Sequence, residues 1–379
     1  MSLSKCKVVI VGAGVAGLSA AVSLVERGLG DLLVVEGSER AGGRVWSQAI
    51  REEAGAARVE RGAQWIHGQQ DNVVFDIAKQ LDFLPPVSAS IEESEAIFID
   101  STGKVQEDEE RLANMMMIIS SVEEDMKKMT LTQLTEFQNL KEYYEAGVKM
   151  QIEERGLASD SKFGELCRSY LDWYGQLQGS INGWDWRETA SYQNLVYREC
   201  EGDETTTIKT ELSYQELILR YAGSVLEKVK FGRMVERIES SEEKVRVITK
   251  SGEQFLADYA IITLPLGVLK AHHANLFSPA LPDWKQLAIQ QMGFGANAKV
   301  FVIFERKVCE IVADLRPAGF NFLREERTFS HWTDSVFGLY PDQSDPFTLV
   351  AWLSGAVARQ VEELPQAEVL AGMSEIVSR

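Results

Sequence analysis

Residues 7–17 read Lys7-Val8-Val9-Ile10-Val11-Gly12-Ala13-Gly14-Val15-Ala16-Gly17, and the fold class turns on them. The run Lys7–Val11 is short, apolar and β-branched, the pattern of a strand buried on both faces. Residues 15–27 place apolar side chains at helical spacing, and Gly28 is a natural stop. Leu32–Val35 is a second apolar run. Strand, helix and strand make a βαβ unit. Between the first strand and the helix stands G-x-G-x-x-G. Gly12 permits the tight turn, Gly14 lets a pyrophosphate approach the backbone, and Gly17 lets the helix pack close. Glu36 ends the second strand, where a carboxylate accepts hydrogen bonds from ribose hydroxyls and repels a 2′-phosphate. The unit is therefore read as a dinucleotide site that disfavours NADP.

The next stretch separates FAD from NAD. Glu36 is followed by Gly37-Ser38-Glu39-Arg40-Ala41-Gly42-Gly43-Arg44. A glycine doublet lets backbone amides come close to a cofactor, and Arg44 brings a cation to its diphosphate. This looks like the second fingerprint of flavoproteins. Further on, Gly62-Ala63-Gln64-Trp65-Ile66-His67-Gly68 resembles the flavin-facing strand of spermine oxidases and N1-acetylpolyamine oxidases, within the flavin-containing amine oxidase family. Ile261–Lys270 (IITLPLGVLK), Phe277–Leu281 (FSPAL) and Gly293–Lys299 (GFGANAK) resemble later family stretches in the same order. From Arg306 onward the resemblance is thin, and Arg306–Ile311 (RKVCEI) stands where the family usually has an aromatic stretch.

The resemblance implies an FAD cofactor. It would be bound by Gly12, Gly14, Ala16, Gly17, Glu36, Gly43 and Arg44, with the backbone of Gly62, Ala63, Gln64 and Trp65 along the isoalloxazine ring. Val235 matches the position at the adenine, His67 a residue of the substrate tunnel, and Lys299 the lysine that holds a water against flavin N5. His67 and Lys299 are thus the expected catalytic residues. The implied reaction oxidises a polyamine (spermine, spermidine or an acetylated form) beside a secondary amine. Its products are an aldehyde, a shorter amine and, from dioxygen, hydrogen peroxide. The plainer readings stay open: His67 as a structural histidine, Val235 as an ordinary strand valine, Lys299 as a solvent lysine.

The fold expected is α/β, with a Rossmann-like FAD-binding domain carrying a small antiparallel sheet and a second domain of mixed sheet plus helices. The FAD-binding domain is assigned to 1–85 and 215–280, the substrate domain to 86–214 and 281–379, with the tunnel between them. Short strands are expected at 233–240, 244–249, 254–256 and 259–263, and a buried one at 300–304. Residues 115–149 read as helices whose methionines fill a core. Residues 92–110 read as a solvated hairpin turning at Ser101-Thr102-Gly103.

The formal net charge of −18 opposes nucleic acid and suits a cationic substrate, although it also serves solubility alone. The four cysteines are widely spaced and the four histidines lack metal-ligand spacing, so neither a disulfide framework nor a metal site is expected. No apolar run is long enough to span a bilayer. The expected location is cytoplasmic, with a peroxisome open for a full-length protein. Relatives continue into a second flavin segment with no counterpart before Arg379, so the chain is expected to be C-terminally cut and to bind FAD weakly or not at all. Two alternatives remain: an inactive fragment, and another flavin amine oxidase such as a histone-lysine demethylase, monoamine oxidase, desaturase or porphyrinogen oxidase relative.

Overall fold

The computed structural model describes residues 3–50, 58–86, 97–195, 197–203, 205–311, 319–324 and 330–378. The chain forms two compact units, Met1–Ser90 with Cys200–Phe294, and Ile91–Glu199 with Gly295–Arg379. Residues 200–214 and 281–294 pack with the first unit, outside the stretches assigned to the FAD-binding domain from sequence. In the first case the tie is direct, because Ile66 N donates to Thr206 O.

Besides the antiparallel pair Ser47–Ala49 and Arg58–Glu60, the described strands of the first unit form one mixed sheet. Its spatial order is Phe277–Ser278, Val235–Ser240, Val245–Thr249, Gln254–Ile262, Leu3–Val11, Leu32–Val35, Val229–Lys230. Leu3–Val11 is central and parallel to both neighbours, with Val8 opposite Leu32 on one side and Tyr259 on the other. Val9, Ile10 and Val11 are almost wholly buried, each removal from water being worth ~1.5–3 kcal/mol. The helix Val15–Glu26 turns Gly17, Leu18, Ala21 and Val22 inward. The strand pair expected at 254–256 and 259–263 is a single strand, Gln254–Ile262. Asp258 keeps the pleat and reaches an ion pair with Lys244. Being long, the strand pairs parallel with Leu3–Val11 and antiparallel with Val245–Thr249 at once. The expected antiparallel strands are therefore an extension of the nucleotide sheet.

The second unit has a five-stranded sheet in the order Asn297–Ile303, Thr348–Ser354, Gly338–Pro341, Phe320–Phe322, Ile97–Ile99. Alternation along its strands separates two cores. Ala298, Leu339, Leu349, Ala351 and Leu353 pack with the helices Gly355–Glu363 and Gln366–Ser378. Tyr340 and Trp352 pack with the core built by Glu109–Lys128, Leu140–Glu154 and Ser161–Asn182. Met115 and Met126 are buried there as expected, whereas Met117 is half exposed. Two expectations need correction. Residues 300–304 are half-buried or exposed, with Ile303 at 49% exposure, because the strand lies at the sheet's edge. The hairpin does turn at Gly103 (φ 80°), but Phe98 is buried and its strand pairs with Phe320–Phe322; residues 92–96 of that reading lie outside the described residues.

Candidate active site

The glycine loop lies at the C-terminal end of the central strand, where parallel strands and the helix N-terminus converge. Gly12 has φ 105°, and a Cβ there would meet Thr263 Oγ1 at 2.7 Å. Thr263 Oγ1 donates to Val11 O at 2.8 Å, sealing the loop from beneath. A Cβ on Gly17 would stand 1.9 Å from Gly12 O, so helix and loop touch backbone to backbone. Gly14 differs: a Cβ there would meet nothing nearer than Gly43 Cα at 3.9 Å. Packing within the protein explains Gly12 and Gly17, whereas Gly14 leaves space on the ligand side. No side chain caps the helix at Gly14, and Ala16 is exposed in its first turn. That N-terminus attracts an anion through its free N–H groups and dipole.

Glu36 is fixed from two sides. Its Oε2 accepts from Ala13 N at 2.7 Å, and its Oε1 from Ser38 N at 2.9 Å and Ser38 Oγ at 2.8 Å. A carboxylate has about four lone-pair sites, so acceptor capacity remains for ribose hydroxyls. Arg233 N donates to Glu36 O at 2.7 Å, and Val235, two residues on, opens the next strand.

The glycine doublet follows the same logic. Gly42 and Gly43 have φ 106° and 58°, and a Cβ on Gly43 would lie 3.1 Å from Gly14 Cα. Arg44 is exposed and makes no ion pair among the described residues. Arg40 was missed from sequence, although it stands in the same ERAGGR string. Its guanidinium donates to the carbonyls of Gly43 (2.7 Å), Val45 (3.3 Å) and Ala41 (3.4 Å) and thereby holds the loop. Arg40 and Arg61 lie 4.5 and 4.0 Å from the Trp46 ring centroid. Burial, then the Arg61 charge, pulls the Arg40 guanidinium below its ordinary value against the lift from Glu36.

Gly62–Gly68 is an extended segment and not the regular strand expected; its one bridge joins Ile66 to Thr206. Gly62 fits because a Cβ would stand 1.8 Å from Arg44 O, and Ala63 N donates to that carbonyl at 3.3 Å. Gln64 and Trp65 are half-buried, and Ala63 and His67 are exposed. The His67 ring meets Trp65 edge-on at 6.3 Å. Asn72 Nδ2 donates to His67 O at 2.9 Å, and Gly68, with φ 75°, packs on Cys200. The imidazole is thus presented to solvent on a fastened backbone.

Lys299 belongs to the second unit. It lies opposite Trp352 in the ladder, with Nζ 4.5 Å from the ring centroid. Its strand begins where Ala296 N donates to Gly183 O at 2.9 Å and Asn297 Nδ2 to Ser180 O at 2.6 Å, so the end of the helix Ser161–Asn182 positions it. Asp342 is buried nearby. Burial, then the charge of Asp345, raises its carboxyl above the ordinary value, and Lys299 opposes the rise. The pairing of Trp352 with Lys299 depends on register, which no local pattern carries.

A family model described as flavin containing amine oxidoreductase matches residues 15–379. This chain belongs to that family. The probable polyamine oxidase 5 of Arabidopsis thaliana is 28% identical over 410 residues, covering 96% of this chain and 74% of that protein. The peroxisomal N(1)-acetyl-spermine/spermidine oxidase of Bos taurus is 25% identical over 405 residues, 98% of this chain and 77% of its own. A solved putrescine oxidase bound to putrescine superposes with a TM-score of 0.68 at 19% identity, covering 98% of this chain and 81% of that one, a likeness of fold. The amine oxidase is an FAD-dependent enzyme. Its first unit fits that cofactor: an open glycine cradle at Gly14, a helix N-terminus without a side-chain cap, a Glu36 carboxylate fastened by two backbone N–H groups and an exposed arginine. Among the described residues no helix is long and apolar enough to cross a membrane.

Proposed function

We propose that this amine oxidase acts on polyamines, cleaving beside a secondary amine to give an aldehyde, a shorter amine and hydrogen peroxide. The observation that carries the reading is Gly62–Gly68: a backbone held against Arg44 that ends in an exposed, rigidly mounted His67. The names of the Arabidopsis and bovine relatives support it.

In this reading Gly12, Gly14, Ala16, Gly17, Gly43 and Arg44 hold the diphosphate, Glu36 the ribose and Val235 the adenine edge. Gly62, Ala63, Gln64 and Trp65 bear the ring. When bound, FAD accepts two electrons from the C–H bond beside the substrate nitrogen. His67 accepts a hydrogen bond from a neutral amine nitrogen and so orients the carbon to be oxidised. Lys299 holds a water, its ammonium steadied over the Trp352 ring. Dioxygen completes the cycle. We carry a cytoplasmic location in the same reading; the bovine relative is named as peroxisomal.

The test is the visible spectrum of the purified chain, recorded without oxygen before and after spermine, N1-acetylspermine and a simple monoamine. Flavin bands that bleach with either polyamine support the reading. Bleaching by the monoamine alone, or by neither polyamine, overturns the substrate class.

A further inference from the structure

Glu60 is a buried carboxylate, 5% exposed, that no reading above uses. It ends the strand Arg58–Glu60, opposite Ser47 in the antiparallel pair with Ser47–Ala49. Ser47 Oγ donates to its Oε2 at 2.5 Å, and Tyr214 N donates to its Oε1 at 2.9 Å. Tyr214 opens the helix Tyr214–Ala222. The Ser213 cap already serves Glu216 N, so Glu60 takes another N–H that the first helical turn leaves unbonded. The helix N-terminus favours that negative group. Gln215 completes the junction: its N donates to Ser47 Oγ at 3.1 Å, its Oε1 accepts from Ser47 N at 3.3 Å, and its Nε2 donates to Ala41 O at 3.3 Å.

Two stretches leave this junction toward the cofactor bed. One is Ala41–Ser47, which contains Gly43 and Arg44. The other runs from Glu60 through Gly62 to Trp65. They are laced together by Arg61 N to Trp46 O at 2.8 Å and Ala63 N to Arg44 O at 3.3 Å. Glu60 bonds Ser47 in one stretch and Tyr214 in the helix, and so, beside Gln215, ties both stretches to the helix Tyr214–Ala222.

We propose that Glu60 is a positioning residue for the flavin, setting the diphosphate side and the ring side of the bed as one piece. The proposal rests on the cofactor placement given under the proposed function. It does not require Glu60 to touch FAD. Its loss lets Arg44 and the Gly62–Trp65 backbone shift against each other, so binding weakens even where the fold persists.

The test measures FAD dissociation constants of the apoprotein by flavin fluorescence quenching, with thermal midpoints alongside. The variants are Glu60→Gln, Ser47→Ala, Arg44→Ala and Tyr143→Phe. Tyr143 Oη donates to Val122 O in the second unit, so its variant reports destabilisation remote from the bed. The expected result is FAD affinity lower by about tenfold in Glu60→Gln and by a smaller factor in Ser47→Ala, which keeps the bond to Tyr214. Tyr143→Phe should lower the midpoint and leave affinity unchanged. Affinity in Glu60→Gln equal to the parent, with Arg44→Ala weakened, overturns the role of Glu60 alone. Equal weakening in Glu60→Gln and Tyr143→Phe also overturns it, since stability then explains the loss. An unchanged Arg44→Ala overturns the cofactor placement and the proposal with it. Should Glu60→Gln fail to fold, Ser47→Ala decides by the same comparison.

Discussion

Gly14 and Gly17 stand three residues apart and carry opposite kinds of constraint. Alanine at Gly17 would drive a Cβ to 1.9 Å from Gly12 O, a backbone atom that cannot yield without moving the loop. Gly17→Ala should cost at least ~1–3 kcal/mol, the usual range for overpacking, and urea denaturation checks it. Alanine at Gly14 meets no protein atom nearer than 3.9 Å, and its φ of −73° suits any residue. Gly14→Ala should therefore leave the urea midpoint nearly unchanged and weaken FAD, which needs that space. Fluorescence titration with FAD measures the second half; a Gly14→Ala protein that binds FAD like the parent would contradict the open cradle.

At the scale of elements, the end of one helix positions the strand that bears Lys299. The helix Ser161–Asn182 closes at Gly183, with φ 73°, and Gly183 O accepts from Ala296 N. A side chain at Gly183 must adopt left-handed backbone, at ~1–2 kcal/mol. Gly183→Ala should lose about that much stability by urea denaturation. Gly295→Ala should lose more, because its Cβ would stand 2.4 Å from Gly183 O. Equal stability in both variants would mean that this junction does not hold the start of the strand.

Across the whole molecule, charge governs two measurable behaviours. The carboxyls of Asp108 and Asp160 lie below their ordinary value, the first held by the Arg111 N–H and then the Arg111 side chain, the second by the Phe163 N–H and then Arg111. Depressed carboxyls stabilise the fold above the unfolded value of 3.8 and lose that contribution as pH falls through their folded values. Asp342 has the opposite sign. Burial raises its value, so the folded state binds its proton more tightly and gains stability as pH falls through that raised value. Thermal midpoints should thus be highest between neutrality and about pH 4, and Asp342→Asn should stabilise more at pH 8 than at pH 5. The reverse order for Asp342→Asn would refute the assignment. The net charge of −18 should also draw polycations electrostatically. Raising salt tenfold from low ionic strength should increase KM for spermine several-fold with kcat little changed, because screening acts on encounter.

What the sequence determined by itself is local. The strand Lys7–Val11, the glycine turn, the helix from Val15 and the acid at Glu36 follow from side-chain period and from backbone freedom at glycine, which neighbouring residues dictate. The helices around Met115 and Met126 follow likewise. What only the tertiary structure decided is non-local. Gln254–Ile262 is one strand because two different partners pair along it at once. Phe98 is buried because its strand finds Phe320–Phe322 across more than two hundred residues. Trp352 meets Lys299 through ladder register, Arg40 turns back onto its own loop, and Glu60 joins a hairpin to a helix that begins far along the chain. Each of these depends on hydrogen bonds between distant segments, and a buried polar group takes whichever partner the assembled fold brings within reach.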